Sequence, residues 1–218
     1  MIKQYLSSSV GKKQIVALTG LLLVLFLVFH LTMNSLMYFG PDVFNFFPSK
    51  AHENPVLLKL LEFGLACIFF VHIGFTIALV LQNRKSRGVS YEVSKAKGQR
   101  SLATRLMPYT ASILLLFLIF HLFDFTFAYD CLVPENPYGL WGVVVEAFKN
   151  PIRVFGYVVA MFAVGFHLAH GIQSTFQSFG YYHPKITPFI QKCSTGLGIL
   201  LAIGFSVLPI YTYIFLGE

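Results

Sequence analysis

His30, His72, His121 and His167 each lie inside a separate apolar stretch of the chain. An imidazole in the interior of a membrane span is costly, so such residues are kept for a partner that repays the cost. One such histidine is commonly a polar residue bonded to a neighbouring helix. Four at matched depths point to ligation instead. Bis-imidazole coordination suits a low-spin haem held between facing helices of a bundle. Two haems stacked across a bilayer would form a transmembrane electron path.

That chemistry requires helices that span. The chain has 218 residues, of which 56% are hydrophobic and 11% charged, against about a quarter charged in soluble domains. Five apolar stretches, near 15–38, 56–81, 106–128, 152–178 and 193–215, are each long enough to cross about 30 Å of hydrocarbon at ~1.5 Å per residue. The expected fold is an all-α, integral-membrane five-helix bundle, one domain over residues 1–218. Lys12 and Lys13 before an apolar run resemble the start of a signal peptide. The run continues past Phe29 without a small-residue cleavage site, so a retained first span is expected.

Twelve of the sixteen Lys and Arg residues fall before span I, between spans II and III, or between spans IV and V, and Glu92 is the one acid there. The positive-inside rule then places the N-terminus in the cytoplasm and the C-terminus outside. The net charge of +7 is read as topology and not as a nucleic-acid footprint. The prolines at 41, 48, 55, 134, 137, 151 and 184 mark span boundaries or turns.

With this topology, His30 and His121 each lie about fifteen residues along an outward-running span, roughly 23 Å up. His72 and His167 lie about nine and eleven residues before the inner ends of spans II and IV. The first two share an outer level and the second two an inner level. His170 is one turn from His167, and depth does not choose between them. Cys67, Cys131 and Cys193 are isolated, with no CxxC, no CxxCH and no GxGxxG elsewhere. Any iron–sulfur cluster or flavin would therefore belong to a partner subunit.

Several local strings carry a resemblance. They are Ser8-Ser9-Val10-Gly11-Lys12-Lys13, Thr19-Gly20-Leu21, Phe29-His30-Leu31-Thr32-Met33-Asn34, Leu81-Gln82-Asn83-Arg84-Lys85-Ser86-Arg87-Gly88, and Phe166-His167-Leu168-Ala169-His170-Gly171 with Ser174 and Gln177. Together they resemble the cytochrome b subunit of succinate dehydrogenase and fumarate reductase, the single-chain, five-helix, di-haem b558 type. The resemblance implies two haem b groups, an outer one on His30 and His121 and an inner one on His72 and His167. His167 is preferred to His170 because the wider family shows His-x-x-x-Gly, matched by His167 and Gly171. His170 would then bond a propionate or backbone, and Gly171 would admit a close approach of backbone to ring.

The resemblance also implies a multi-pass subunit of the cell inner membrane. It would anchor a flavoprotein carrying FAD and an iron–sulfur subunit, and pass electrons to or from menaquinone. A dimer of the whole complex is compatible with it. The basic segment 82–105 suits docking of the cytoplasmic pair. Ser174, Gln177 and Arg105 are candidate propionate partners, and Asp124, His52 and Glu53 candidate quinone or proton residues. Some fumarate reductase members carry a glutamate two residues before the helix IV ligand, where this chain has Gly165. Two rival readings remain: a di-haem anchor of another enzyme, such as hydrogenase or formate dehydrogenase, and a non-redox transporter or scaffold.

Overall fold

Ser8 accepts a hydrogen bond from the Gly11 N–H at 3.0 Å and so caps the first long helix. The architecture is that of a computed structural model, which describes residues 2–85 and 102–217. In chain order the helices are α1 (Ile2–Ser7), α2 (Ser9–Ser35), α3 (Pro41–His52), α4 (Pro55–Lys85), α5 (Leu102–His121), α6 (Tyr129–Leu132), α7 (Gly139–Phe148), α8 (Pro151–Ser178) and α9 (Thr187–Tyr211). Asn150 caps α8 through Ile152 and Arg153, and Pro151 takes the first position, where no N–H is needed. No strand occurs among the described residues.

Short turns lengthen three helices: a 3₁₀ turn at Leu36–Phe39, and π-helical turns at Leu122–Thr126 and Thr212–Leu216. Five helices are thus long and apolar enough to cross a membrane: Ser9–Phe39, Pro55–Lys85, Leu102–Leu132, Pro151–Ser178 and Thr187–Leu216. Every expected span lies within one of them. The helices overrun the apolar stretches because backbone hydrogen bonding continues where hydropathy has already fallen. Arg87, Glu92, Lys95, Lys97 and Arg100 of the basic segment lie outside the described residues.

The bundle is built around α2 and α8. α2 packs on α4, α8 and α9, and α8 packs on α5 and α9. Val24, Ala160, Met161, Val164, Leu168 and Leu201 form its centre. In lipid the hydrophobic effect does not drive helices together, so close backbone approach must. α8 and α9 supply it at Gly165 and Gly198. A Cβ on Gly198 would lie 2.7 Å from the Gly165 carbonyl oxygen, and one on Gly165 would lie 3.1 Å from Ala202 Cβ. α4 has no buried residue and sits at the edge. Its end is tied to α2 by Lys12 Nζ donating to Gln82 Oε1 (2.8 Å) and Gln82 Nε2 donating to Ser9 Oγ (3.0 Å).

For reference, the end of the bundle near Ser9, Lys85 and Ser178 is called inner, and the end near Phe39, Pro55 and Pro151 outer. The outer end carries a lid of α3 and α7 that the apolar stretches do not announce. Met37, Phe44, Val144, Val145, Phe148 and Leu208 pack under it. Asn45 joins its two helices, giving Nδ2 to the Tyr138 carbonyl (2.8 Å) and taking the Trp141 N–H at Oδ1 (3.0 Å). Gly40, at φ +92°, makes the turn from the end of the first span into α3. Pro48, expected at a turn, instead lies inside α3, where packing of Phe44 and the Asn45 bonds outweigh the lost N–H.

Candidate functional site

The helices that carry the expected histidine pairs are not the ones that pack directly. α2 with α5, and α4 with α8, make no extended contact, whereas α2–α4, α5–α8 and α2–α8 do. The paired side chains therefore reach towards each other across intervals that backbone packing leaves open.

His30, on α2, and His121, the last residue of α5, lie with ring centroids 5.8 Å apart and planes at 87°. Metal–imidazole bonds of about 2 Å on opposite sides of one metal put the ring centres roughly 6 Å apart. Phe26 stacks on His30 (5.3 Å) and Phe205 tilts against it (5.8 Å). Phe117 stacks on His121 (5.6 Å) and Phe125 meets its edge (5.6 Å). The surroundings are aromatic, and both histidines are half-buried within the chain.

His121 Nδ1 lies 3.4 Å from the Tyr157 hydroxyl, which donates to Asp124 Oδ2 at 3.0 Å. Arg153 Nη2 pairs with Asp124 Oδ1 at 3.3 Å. The π-helical turn after His121, closed by the Phe127 N–H on the Leu122 carbonyl (2.8 Å), carries Asp124. Such turns often mark functional positions in helices. On His30 the Nδ1 neighbour is the Asn34 amide nitrogen at 3.4 Å, and that amide also donates to the His30 carbonyl at 2.8 Å.

At the inner level, His72 Nδ1 lies 3.2 Å from the Val16 carbonyl and 3.1 Å from Thr19 Oγ1. A carbonyl only accepts, so His72 carries its proton on Nδ1. Gly20 faces this ring; a Cβ there would lie 3.1 Å from His72 Cε1. His167 Nδ1 lies 3.5 Å from Thr110 Oγ1, whose hydroxyl is spent on carbonyls of its own helix. His167 is near enough to His72 and to His170 for their charges to interact. His170 is the shallower of the two α8 histidines, with Nδ1 3.0 Å from Thr104 Oγ1.

The donor chemistry fits a haem better than a bare ion. No group of three or more His, Cys, Asp or Glu able to hold a metal occurs among the described residues. Pairs of imidazoles are too few for a naked cation but suffice where a macrocycle supplies the in-plane nitrogens. Among the described residues, Nε2 of His30, His72, His121 and His167 makes no hydrogen bond, while Nδ1 of each has a neighbour. At His72, His121 and His167 that neighbour is an oxygen able to accept the Nδ1 proton, which is how ligating histidines are oriented, through the ring nitrogen the metal does not use. At His30 it is an amide nitrogen, which donates, so no such acceptor stands behind that ring.

The other expected residues scatter. Ser174 is half-buried on α8, and Gln177 and Arg105 are exposed towards the inner end. His52 stacks on Tyr129 at 3.8 Å, and Glu53 pairs with Lys50 at 2.8 Å, both at the outer end. Asp124 belongs to the outer histidine level through Tyr157. A Cβ on Gly171 would make only an ordinary contact with Met107, at 3.9 Å, and the glycine set against a histidine ring is Gly20. Thr19, Thr110, Tyr157 and Arg153 also stand at the histidines or at Asp124, though the sequence assigns none of them a role at a site. Hydroxyls in otherwise apolar spans were the available signal for the first three.

A family model described as succinate dehydrogenase/fumarate reductase transmembrane subunit matches residues 84–208, which include His121, Asp124, Tyr157, His167 and His170. No curated protein and no solved structure matches the chain. With five helices able to cross a membrane and more than half of its length matched, the chain belongs to the succinate dehydrogenase/fumarate reductase transmembrane subunit family.

Proposed function

We propose that this subunit holds two b haems, one between His30 and His121 and one between His72 and His167, and conducts electrons between a partner iron–sulfur subunit and a membrane quinone. The observation that carries the reading is the His30–His121 pair, 5.8 Å apart across two helices that do not pack on each other. The haem, when bound, supplies one-electron chemistry; the protein supplies ligands, dielectric and orientation. His72 and His121 are held with the Nδ1 proton directed to oxygen acceptors, so Nε2 is the ligating atom. Phe26, Phe205, Phe117 and Phe125 give the outer pair aromatic neighbours. His167 is taken as the inner ligand on its His-x-x-x-Gly spacing to Gly171, and His170, whose Nδ1 meets Thr104 much as that of His167 meets Thr110, as a neighbour of the inner site.

In this reading the inner end faces the cytoplasm of a cell inner membrane, as the charge asymmetry directs, and meets the iron–sulfur and flavoprotein subunits there. The latter carries FAD and the dicarboxylate chemistry. Menaquinone is the proposed quinone, with the outer end as its exchange point. Family membership favours this over an anchor for hydrogenase or formate dehydrogenase, and over a transporter. The test is purification of the membrane complex, with haem counted spectrally and both succinate–quinone and quinol–fumarate activities measured. Two haems per chain with either activity are expected. A preparation lacking b-haem absorbance would sink the proposal.

A further inference from the structure

We infer that Arg153, Asp124 and Tyr157 form a positioning string that fixes the tautomer and donor strength of His121, so that the outer haem is tuned by charge at the protein's outer end. This rests on the two-haem reading above.

The direction of each bond follows from proton counting. Asp124, paired with a guanidinium, is a carboxylate and can only accept. One oxygen takes Arg153 at 3.3 Å and the other takes the Tyr157 hydroxyl at 3.0 Å. A tyrosine has one proton, and it is spent there. Its oxygen can therefore only accept from His121 Nδ1–H, at 3.4 Å. Neutral His121 is left with its lone pair on Nε2.

The string is also placed against local preference, which argues that it is retained for a reason. Arg153 lies in the first turn of α8, where a cation opposes the helix dipole. Asp124 offsets that cost, and Arg153 Nη1 is held besides by the Ala147 carbonyl at 3.3 Å. The carboxylate side chain is 19% exposed and the guanidinium 40%, so the pair runs from the interior towards the aqueous boundary.

The inner level has no equivalent. Among the described residues, the Nδ1 neighbours of His72 and His167 are neutral hydroxyls and a carbonyl. An acceptor behind Nδ1–H makes the imidazole a stronger donor to a bound metal. A carboxylate nearby acts in the same sense, and a low dielectric enlarges both effects. Both favour the oxidised, more positive state, so the string lowers the outer potential.

The experiment uses the whole complex with Tyr157→Phe, Asp124→Asn and Asp124→Glu. Haem is counted by pyridine haemochrome, and the two potentials are resolved by spectroelectrochemical titration. The outer haem is assigned as the signal missing in His121→Ala. Tyr157→Phe and Asp124→Asn should keep two haems per chain and raise the outer potential while leaving the inner one in place, and Asp124→Glu should restore it. Two retained haems with an unmoved outer potential in both variants would overturn the inference, as would equal displacement of both potentials. Fewer than two haems in the unaltered complex would instead overturn the two-haem reading itself.

Discussion

The outer and inner halves of the bundle hold their histidines by different means. At the outer level the rings are in direct contact, packed among four phenylalanines, covered by the α3–α7 lid and linked through Tyr157 to an ion pair. At the inner level the rings are held by threonine hydroxyls and a main-chain carbonyl, with no ion pair in contact among the described residues. In the two-haem reading, the contrast separates what would ligate from what would tune. Each level holds a pair of imidazoles, but only the outer one has an ion pair linked to it among the described residues.

The largest effects should come from the ligands. His121→Ala and His167→Ala should each lose one of two haems, from the outer and inner level respectively, with spectra that sum to the unaltered complex. His170→Ala should keep both. Retention of the inner haem in His167→Ala, with its loss in His170→Ala, would move the inner site one turn along α8, to the ring beside Thr104.

A second test addresses what the two levels share. Gly198→Val would drive a side chain into the Gly165 carbonyl, 2.7 Å from the first added carbon. Overpacking of this kind costs about 1–3 kcal/mol. Thermal stability should fall, and both haems should loosen together because α8 carries His167 and also packs on α5 behind His121. Loss at one level alone would show that the α8–α9 crossing supports that level only.

Smaller effects sharpen the inner side. Thr110→Val removes the acceptor behind His167 and should cost about 1 kcal/mol, with a rise in the inner potential and no change in the outer. Thr19→Val should do less, since His72 keeps the Val16 carbonyl at 3.2 Å. The smallest change is expected for Lys12→Gln. It removes the bond to Gln82 at the inner end and should shift thermal stability by ~1 kcal/mol or less.

Much of this arrangement is legible in the residues alone. Long apolar runs give the spans, and counting along them from either end puts the four histidines on two levels. What is not legible is helix rotation. Asp124 reads as an isolated intramembrane carboxylate because its partners, Tyr157 and Arg153, lie on another helix about thirty residues away. Thr19 and Thr110 read as ordinary polar interruptions until their faces are known. The α3–α7 lid is missed for a different reason. Its helices are too short to register as spans, and Pro48 reads as a breaker when tertiary contacts hold its helix together.

Gly165 and Gly198 carry a consequence for how such chains diverge. The two positions are not equivalent, because the α8 backbone occupies the room a side chain at 198 would need, while a side chain at 165 would press chiefly on Ala202. A first carbon at 198 would meet the Gly165 carbonyl at 2.7 Å, so the backbone itself would have to move, whereas one at 165 would meet Ala202 Cβ at 3.1 Å and ask α9 for only a small adjustment. The seam is therefore open to change from the α8 side and closed from the side of α9, a helix that contributes no histidine to either level.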